Sequence, residues 1–311
     1  MKLIQLPNGL TVSPAALGAM NFGTTTSKKD AYRVLDAYVD FGGNFIDTSN
    51  NYAHWQGTGD ESETLLGEWL KERGCREKLV IATKVGFDRH GVGQGLKKEQ
   101  IEYWIDESLR KLGTDFIDLY YAHTDDPTTP LEETMDAFHA LVKKGKVRTI
   151  GGSNYDTWRL CEANAIASAK GGTPYTVLQQ KFTYLHPRAD IAPDYIFNEA
   201  VTRECLRYLK AKDIPLVAYS SLAKGGYEAA DRLPADLIAG DRLTFLKQMA
   251  AEKGVSPSAL AVAWMVNLHR VEGFPRVIPL FGSSSAAHFM DNLRGVDLPL
   301  TDDEMKALCK A

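Results

Sequence analysis

Cysteine is scarce in this 311-residue chain. The four present, Cys75, Cys161, Cys205 and Cys309, lie far apart and form no C-x-x-C. A chain this long needs no disulfide framework, so they read as reduced thiols of a cytoplasmic protein, and no Cys/His cluster suggests a metal. Long hydrophobic runs are missing too. No stretch approaches the ~20 apolar residues that span a bilayer, and the start, Met1 to Pro14, is too weakly apolar for a signal peptide. Basic blocks are absent and the formal net charge is −4. A nucleic acid or an anionic membrane surface would find no electrostatic hold here. There is no low-complexity tract and no close repeat. The G-x-G-x-x-G of dinucleotide-binding sheets does not follow the first strand. Gly91-Val92-Gly93-Gln94-Gly95 falls in a later loop with the wrong spacing.

What is present is an ordinary globular composition, 44% apolar and 24% charged, enough for a full core. Lys2–Leu6 and Thr11–Ser13 flank Pro7-Asn8-Gly9, a hairpin signal. The hairpin reads as a cap on one end of the domain. From Ala15 onward, short strands rich in Ile, Val, Leu and Tyr alternate with segments of helical spacing. Helices are predicted over Asp30–Asp40, Glu63–Arg73, Lys97–Leu112, Leu131–Lys144, Thr157–Lys170, Asn198–Lys212, Arg242–Lys253, Pro257–Leu268, Ser285–Leu293 and Asp302–Ala311. Eight strand candidates between helices fit a closed (β/α)8 TIM barrel or an open doubly wound sheet. The positions of the polar groups favour the barrel. Asp47 follows Asn44–Ile46, Lys84 follows Val80–Thr83, and His123 follows Ile117–Ala122. Ser153-Asn154, Gln179, Tyr219-Ser220 and Gly282-Ser283-Ser284 follow later strands. A parallel barrel gathers every strand C-terminus on one face, where its chemistry sits, whereas an open sheet concentrates it at one switch point. The expected organisation is one domain over residues 1–311, with long loops on the C-terminal face.

Four of these positions suggest a proton donor. A phenol has a pKa of about 10 and is a poor acid at neutral pH. A nearby ammonium, Lys84, is expected to lower the Tyr52 value. Asp47 beside the ammonium would keep it charged and fixed in place. An imidazole, His123, can hold a carbonyl oxygen or pass a proton.

Longer motifs carry a resemblance. They are Gly43-Asn44-Phe45-Ile46-Asp47-Thr48-Ser49 with Tyr52, Gly59-Asp60-Glu61-Ser62-Glu63, Ile81-Ala82-Thr83-Lys84, Leu109-Arg110-Lys111-Leu112-Gly113-Thr114-Asp115, Ile150-Gly151-Gly152-Ser153-Asn154-Tyr155 and Asp291-Asn292-Leu293. Through them the chain resembles the aldo-keto reductases along nearly its whole length. The resemblance implies a TIM barrel without a Rossmann domain and reversible carbonyl reduction by a nicotinamide cofactor. It places a catalytic tetrad on Asp47, Tyr52, Lys84 and His123, with Tyr52 as general acid. It also implies that Ser153, Asn154 and Gln179 hold the carboxamide and that Tyr219 stacks on the nicotinamide. Ser220, Leu222 and Lys224 would follow the pyrophosphate, and Gly282, Ser283, Ser284, His288, Asp291 and Asn292 the adenosine end.

NADP(H) is the expectation the resemblance carries. NAD(H) stays open, because no Arg or Lys stands at Ser284 or His288, where a 2′-phosphate would favour a cation. A second departure, Lys181-Phe182-Thr183-Tyr184, affects the loop after the sixth barrel strand. Phe22, Trp55 and Phe87, with His54, Tyr155 and Tyr227 nearby, are candidate pocket walls for a small-molecule carbonyl or alcohol. Two other functions fit the same residues: a nicotinamide-binding redox sensor, and a Schiff-base lyase using Lys84. The physiological substrate, the direction of reaction and the oligomeric state are not legible in the chain.

Overall fold

A computed structural model describes residues 1–87, 94–191 and 199–311. The hairpin forms as the Asn-Gly signal predicts. Strands β1 (Ile4–Gln5) and β2 (Thr11–Val12) pair antiparallel, with Ile4 opposite Val12. Gly9 takes φ +88°, the positive value such a turn requires. Leu6, Leu10 and Val12 are buried against the barrel interior, so the hairpin plugs the end opposite the strand C-termini.

Eight parallel strands close into a barrel: β3 (Ala16–Gly18), β4 (Phe45–Asp47), β5 (Val80–Val85), β6 (Ile117–Ala122), β7 (Val147–Ser153), β8 (Tyr175–Lys181), β9 (Leu216–Tyr219) and β10 (Val277–Phe281). Strand β10 pairs with both β9 and β3, which completes the ring. Helices α1 (Lys28–Asp40), α2 (Glu61–Arg73), α3 (Lys98–Leu112), α4 (Leu131–Lys143), α5 (Thr157–Lys170) and α6 (Arg203–Ala211) each follow one strand from β3 to β8. Helices α7 (Gly240–Lys253) and α8 (Pro257–Asn267) lie between β9 and β10, and α9 (Ala286–Leu293) and α10 (Asp302–Lys310) end the chain.

Most boundaries fall within two residues of the periodicity. The exception is α6, expected from Asn198. It starts at Arg203, where the Thr202 hydroxyl accepts from the Cys205 backbone N–H and caps the helix. Residues 192–198, which include the start expected for that helix and the end of the loop before it, lie outside the described residues, as do Gly91–Gly93. Among the described residues no helix is long and apolar enough to cross a membrane.

Strand periodicity sets the site. Alternate residues of a strand face opposite sides. Phe45, Ala82, Leu119, Tyr121, Val177 and Val217 pack inside the barrel, while Ile46, Ile81, Tyr120, Leu178 and Leu216 pack outward with the helices. Two residues beyond Phe45, Ala82, Val177 and Val217, on the same inward side, stand Asp47, Lys84, Gln179 and Tyr219. The interior therefore runs from an apolar plug to a polar layer at the C-terminal rim. Lys84 and Gln179, expected just past their strands, lie within β5 and β8, because those strands run on to Val85 and Lys181.

Candidate active site

Lys84 is fully buried and its three protons all have acceptors. Nζ donates to Asp47 Oδ1 at 2.5 Å, to Tyr52 Oη at 2.5 Å and to the Thr48 carbonyl at 2.7 Å. Tyr52 Oη donates to the same Asp47 oxygen at 2.8 Å. The other carboxylate oxygen, Oδ2, accepts from Gln179 Nε2 at 2.8 Å. A buried carboxylate is thus met by an ammonium, a phenol and an amide, the pairing a charge away from water requires.

His123 completes the group from β6. Its ring centroid lies 6.0 Å from that of Tyr52 and 4.6 Å from that of Phe87, edge-on to both. Its Nδ1 meets the Ser49 hydroxyl at 3.2 Å. The backbone fixes its place: its N–H donates to the Val85 carbonyl at 2.8 Å, and its carbonyl accepts from Asn154 Nδ2 at 3.0 Å.

The electrostatics correct one expectation. Tyr52 is pushed well above the ordinary phenol value, by burial first and then by the Asp47 charge. The sequence suggested that Lys84 would lower it. In the fold, phenol and ammonium share one carboxylate oxygen, and that charge together with lost hydration holds the proton on Tyr52. Burial also lowers the Lys84 value, with Asp47 opposing. His123 is pushed well below its ordinary value, by burial and then by the Lys84 charge, which leaves the imidazole neutral.

Four of the expected cofactor residues form a patch joined to this group. Ser153 is in register with Gln179 across β7 and β8. Asn154, at φ +55°, donates from Nδ2 to Ser153 Oγ at 3.1 Å and accepts from the Tyr219 hydroxyl at 2.8 Å. Gln179 links the patch to Asp47. In the loop after β9, Ser220 and Lys224 both have positive φ, Leu222 is buried and Lys224 is exposed. After β10, Gly282, Ser284, His288 and Asp291 are exposed, and Ser283 and Asn292 half-buried. Ser285 was not singled out from the sequence. Its hydroxyl accepts from the His288 N–H and caps α9.

The pocket candidates divide. Phe87 reaches the site through its contact with His123. Trp55 is 59% exposed and meets His54 edge-on. Phe22 is 1% exposed and packs into the outer core, so its ring offers no wall to a ligand. Tyr227 is also buried, its hydroxyl donating to the Ser221 carbonyl and accepting from the Tyr184 N–H. The unusual Lys181–Tyr184 segment is structural. Lys181 pairs with Asp236, Phe182 stacks on Trp264 at 5.6 Å, and Arg242 lies over the Tyr184 ring at 4.0 Å. These contacts tie the end of β8 and the loop after it to the loop after β9 and to helices α7 and α8. Ser49 was missed as a partner of His123, although it sits in the same Asp47–Tyr52 motif.

A Lys–Asp–Tyr triangle with a protonated phenol thus lies at the mouth of an eight-stranded parallel barrel. Comparison with known proteins specifies the class. A model of the aldo/keto reductase family matches residues 15–311. Aldo-keto reductase ausK of Aspergillus calidoustus is 32% identical, across 96% of this chain and 78% of its own length. An aryl-alcohol dehydrogenase of Phanerodontia chrysosporium, named as NADP(+)-dependent, is also 32% identical, across 96% and 82%. The putative aryl-alcohol dehydrogenase AAD14 of Saccharomyces cerevisiae is 29% identical, across 99% and 85%. The chain belongs to the aldo/keto reductase family and is an NAD(P)H-dependent oxidoreductase.

Proposed function

We propose that the protein reduces an aldehyde or ketone to its alcohol, reversibly, with Tyr52 as the proton donor, Lys84 and Asp47 as its electrostatic support and His123 beside the reacting oxygen. The observation that carries this is the triangle of contacts at 2.5–2.8 Å among Lys84, Tyr52 and Asp47. A proton donor must be protonated before it acts, and the raised Tyr52 value ensures that. As the phenol gives its proton to the carbonyl oxygen, a phenolate forms 2.5 Å from the Lys84 ammonium. That attraction is available chiefly in the transition state, where it accelerates the step.

The nicotinamide, when bound, supplies the hydride that reaches the carbonyl carbon. The residues present suit such a ring. Its carboxamide needs both donors and acceptors. Asn154 Oδ1 keeps a lone pair beyond its bond from Tyr219, and Ser153 Oγ, already accepting from Asn154, keeps a proton to give. Gln179 holds Asp47 with one N–H and has its carbonyl oxygen as an acceptor. Tyr219, tethered to Asn154, offers an aromatic face. Ser220, Leu222 and Lys224 are assigned to the pyrophosphate. Gly282, Ser283, Ser284, His288, Asp291 and Asn292 are assigned to the adenosine end. NADP(H) is the favoured cofactor, supported by the name of the Phanerodontia chrysosporium relative. An aromatic carbonyl is the substrate class that the relatives' names and the Phe87 ring beside His123 support.

Tyr52→Phe tests the assignment. Turnover with a panel of aromatic aldehydes should fall about 10²–10⁴-fold, while fluorescence titration gives an unchanged NADPH affinity. Retained turnover would remove Tyr52 from the role. A wild-type enzyme that binds NADPH but turns over no aldehyde would instead favour a redox sensor.

A further inference from the structure

We propose that Glu63 is a positioning residue that acts through Lys84: its buried carboxylate, on the far side of β5, supports the ammonium from behind. The inference rests on the proposed function for what that ammonium does. Neighbouring residues of a strand face opposite ways. Lys84 points into the barrel, so Thr83 before it points out toward the helices. The Thr83 hydroxyl donates to Glu63 Oε1 at 2.6 Å. One strand therefore carries a buried carboxylate on each side, Asp47 in front of Lys84 and Glu63 behind it.

The charge of Glu63 exceeds what its local contacts use. Its side chain is fully buried, and among the described residues it has two partners. Besides Thr83 there is Lys111 of α3, whose Nζ lies 3.4 Å from Oε2. Lys111 sits closer to Asp60, at 2.5 Å, so one ammonium serves two carboxylates and the cluster keeps a net negative charge. From β6 the buried Tyr120 hydroxyl makes no hydrogen bond. Its proton is held by burial and then by the Glu63 charge. Burying a charge is costly, and a neutral Gln would accept from Thr83 equally well. The excess charge has another recipient.

That recipient is Lys84. Burial lowers its value, while Asp47 and then Glu63 oppose the fall. Inside the barrel the ammonium is faced by Asp47 from β4, by Tyr52 from the loop after it, and by Tyr121 of β6, whose ring centroid lies 5.8 Å from Nζ. His123, also on that side, is held neutral by burial and by Lys84 itself. Tyr52 is pushed well up, by burial and then by Asp47. As the pH rises the ammonium therefore gives up its proton before the phenol does. Alkaline loss of turnover reports Lys84, and a negative charge behind β5 keeps the ammonium to higher pH.

The alkaline limb of kcat for aldehyde reduction by the full-length enzyme tests this. Glu63→Gln keeps an acceptor for Thr83 and removes the charge. Its limb should lie about half a pH unit or more below that of wild type. Glu63→Asp keeps the charge and shortens the reach to Thr83, so its limb should stay at the wild-type position. Lys111→Met removes the opposing charge and should move the limb to higher pH. An unchanged profile in Glu63→Gln, an equal shift in Glu63→Asp, or a downward shift in Lys111→Met overturns the proposal. If Lys111→Met does not fold, the two Glu63 variants decide alone. Retained turnover in Tyr52→Phe would instead defeat the proposed function, and it is read separately from these limbs.

Discussion

Replacing Lys84 by Met removes an ammonium from a site with no exposed surface and leaves Asp47, also fully buried, as an uncompensated charge. Two of the carboxylate's three donors remain, Tyr52 and Gln179, but the Thr48 carbonyl loses its partner. Breaking a buried pair in this way costs about 3–5 kcal/mol, a large part of the ~5–15 kcal/mol that holds a domain together. Adding Asp47→Asn to the same protein removes the stranded charge. The double variant should recover to within about 1–2 kcal/mol of wild type, because a buried pair contributes little net stability over neutral groups. Urea unfolding followed by the fluorescence of the five tryptophans measures all four corners of the cycle. Asp47→Asn alone strands the buried Lys84 ammonium at a similar cost, so the expected coupling, the two single costs less that of the double, is at least about 4 kcal/mol, with both single variants and the double variant failing to turn over carbonyls. A Lys84→Met protein within about 1 kcal/mol of wild type, or a double variant as unstable as the sum of the singles, would refute the reasoning. The outcome decides whether the pair is retained for stability or for chemistry.

With one aromatic aldehyde, NADPH should give a higher kcat/KM than NADH, and a higher value for NADH refutes the cofactor assignment. Ser284→Arg, at an exposed position beside the α9 cap, should widen the preference about tenfold, since a charge-assisted contact to phosphate is worth roughly 1.5 kcal/mol or more. His123, held neutral by burial and Lys84, makes the fold bind fewer protons than the unfolded chain below pH ~6.5. Its contribution is complete above that pH and is lost as the pH falls toward the depressed folded value. The slope for one group is at most about 1.4 kcal/mol per pH unit. In urea titrations between neutral pH and about 5.5, the stability gap between wild type and His123→Asn should therefore shift against wild type by up to about 1 kcal/mol. A constant gap would show that His123 titrates normally.

Much of the site could be read from the chain because barrel chemistry follows strand chemistry. Once alternate inward residues of β4, β5, β8 and β9 are apolar, the next inward position is at the rim, and the letters there are Asp47, Lys84, Gln179 and Tyr219. Other motif residues stand away from the reacting group. Glu63, buried, accepts from the Thr83 hydroxyl at 2.6 Å, and Lys111 bridges it to Asp60 at 2.5 Å. Asp125, two positions beyond His123, is paired with Arg159 at 2.8 Å. Such partners lie tens of residues apart, where no local periodicity connects them. Phe22 shows the same limit from the other side: a phenylalanine after a strand has equal reason to wall a pocket or fill a core, and only packing decides.

The direction of the Tyr52 shift was out of reach for a sharper reason. From the sequence, a phenol near an ammonium and a carboxylate has two opposed influences, and either can win. The choice depends on which atoms share which contacts. Asp47 Oδ1 accepts from both Tyr52 and Lys84, so the ammonium's charge is partly committed to the carboxylate while the phenol gives its proton to that same oxygen. Removal from water then adds to the Asp47 effect and the proton is retained. In the proposed mechanism Lys84 acts on Tyr52 most strongly only once the phenol proton leaves, and a site arranged this way would store its electrostatic help for the moment charge appears.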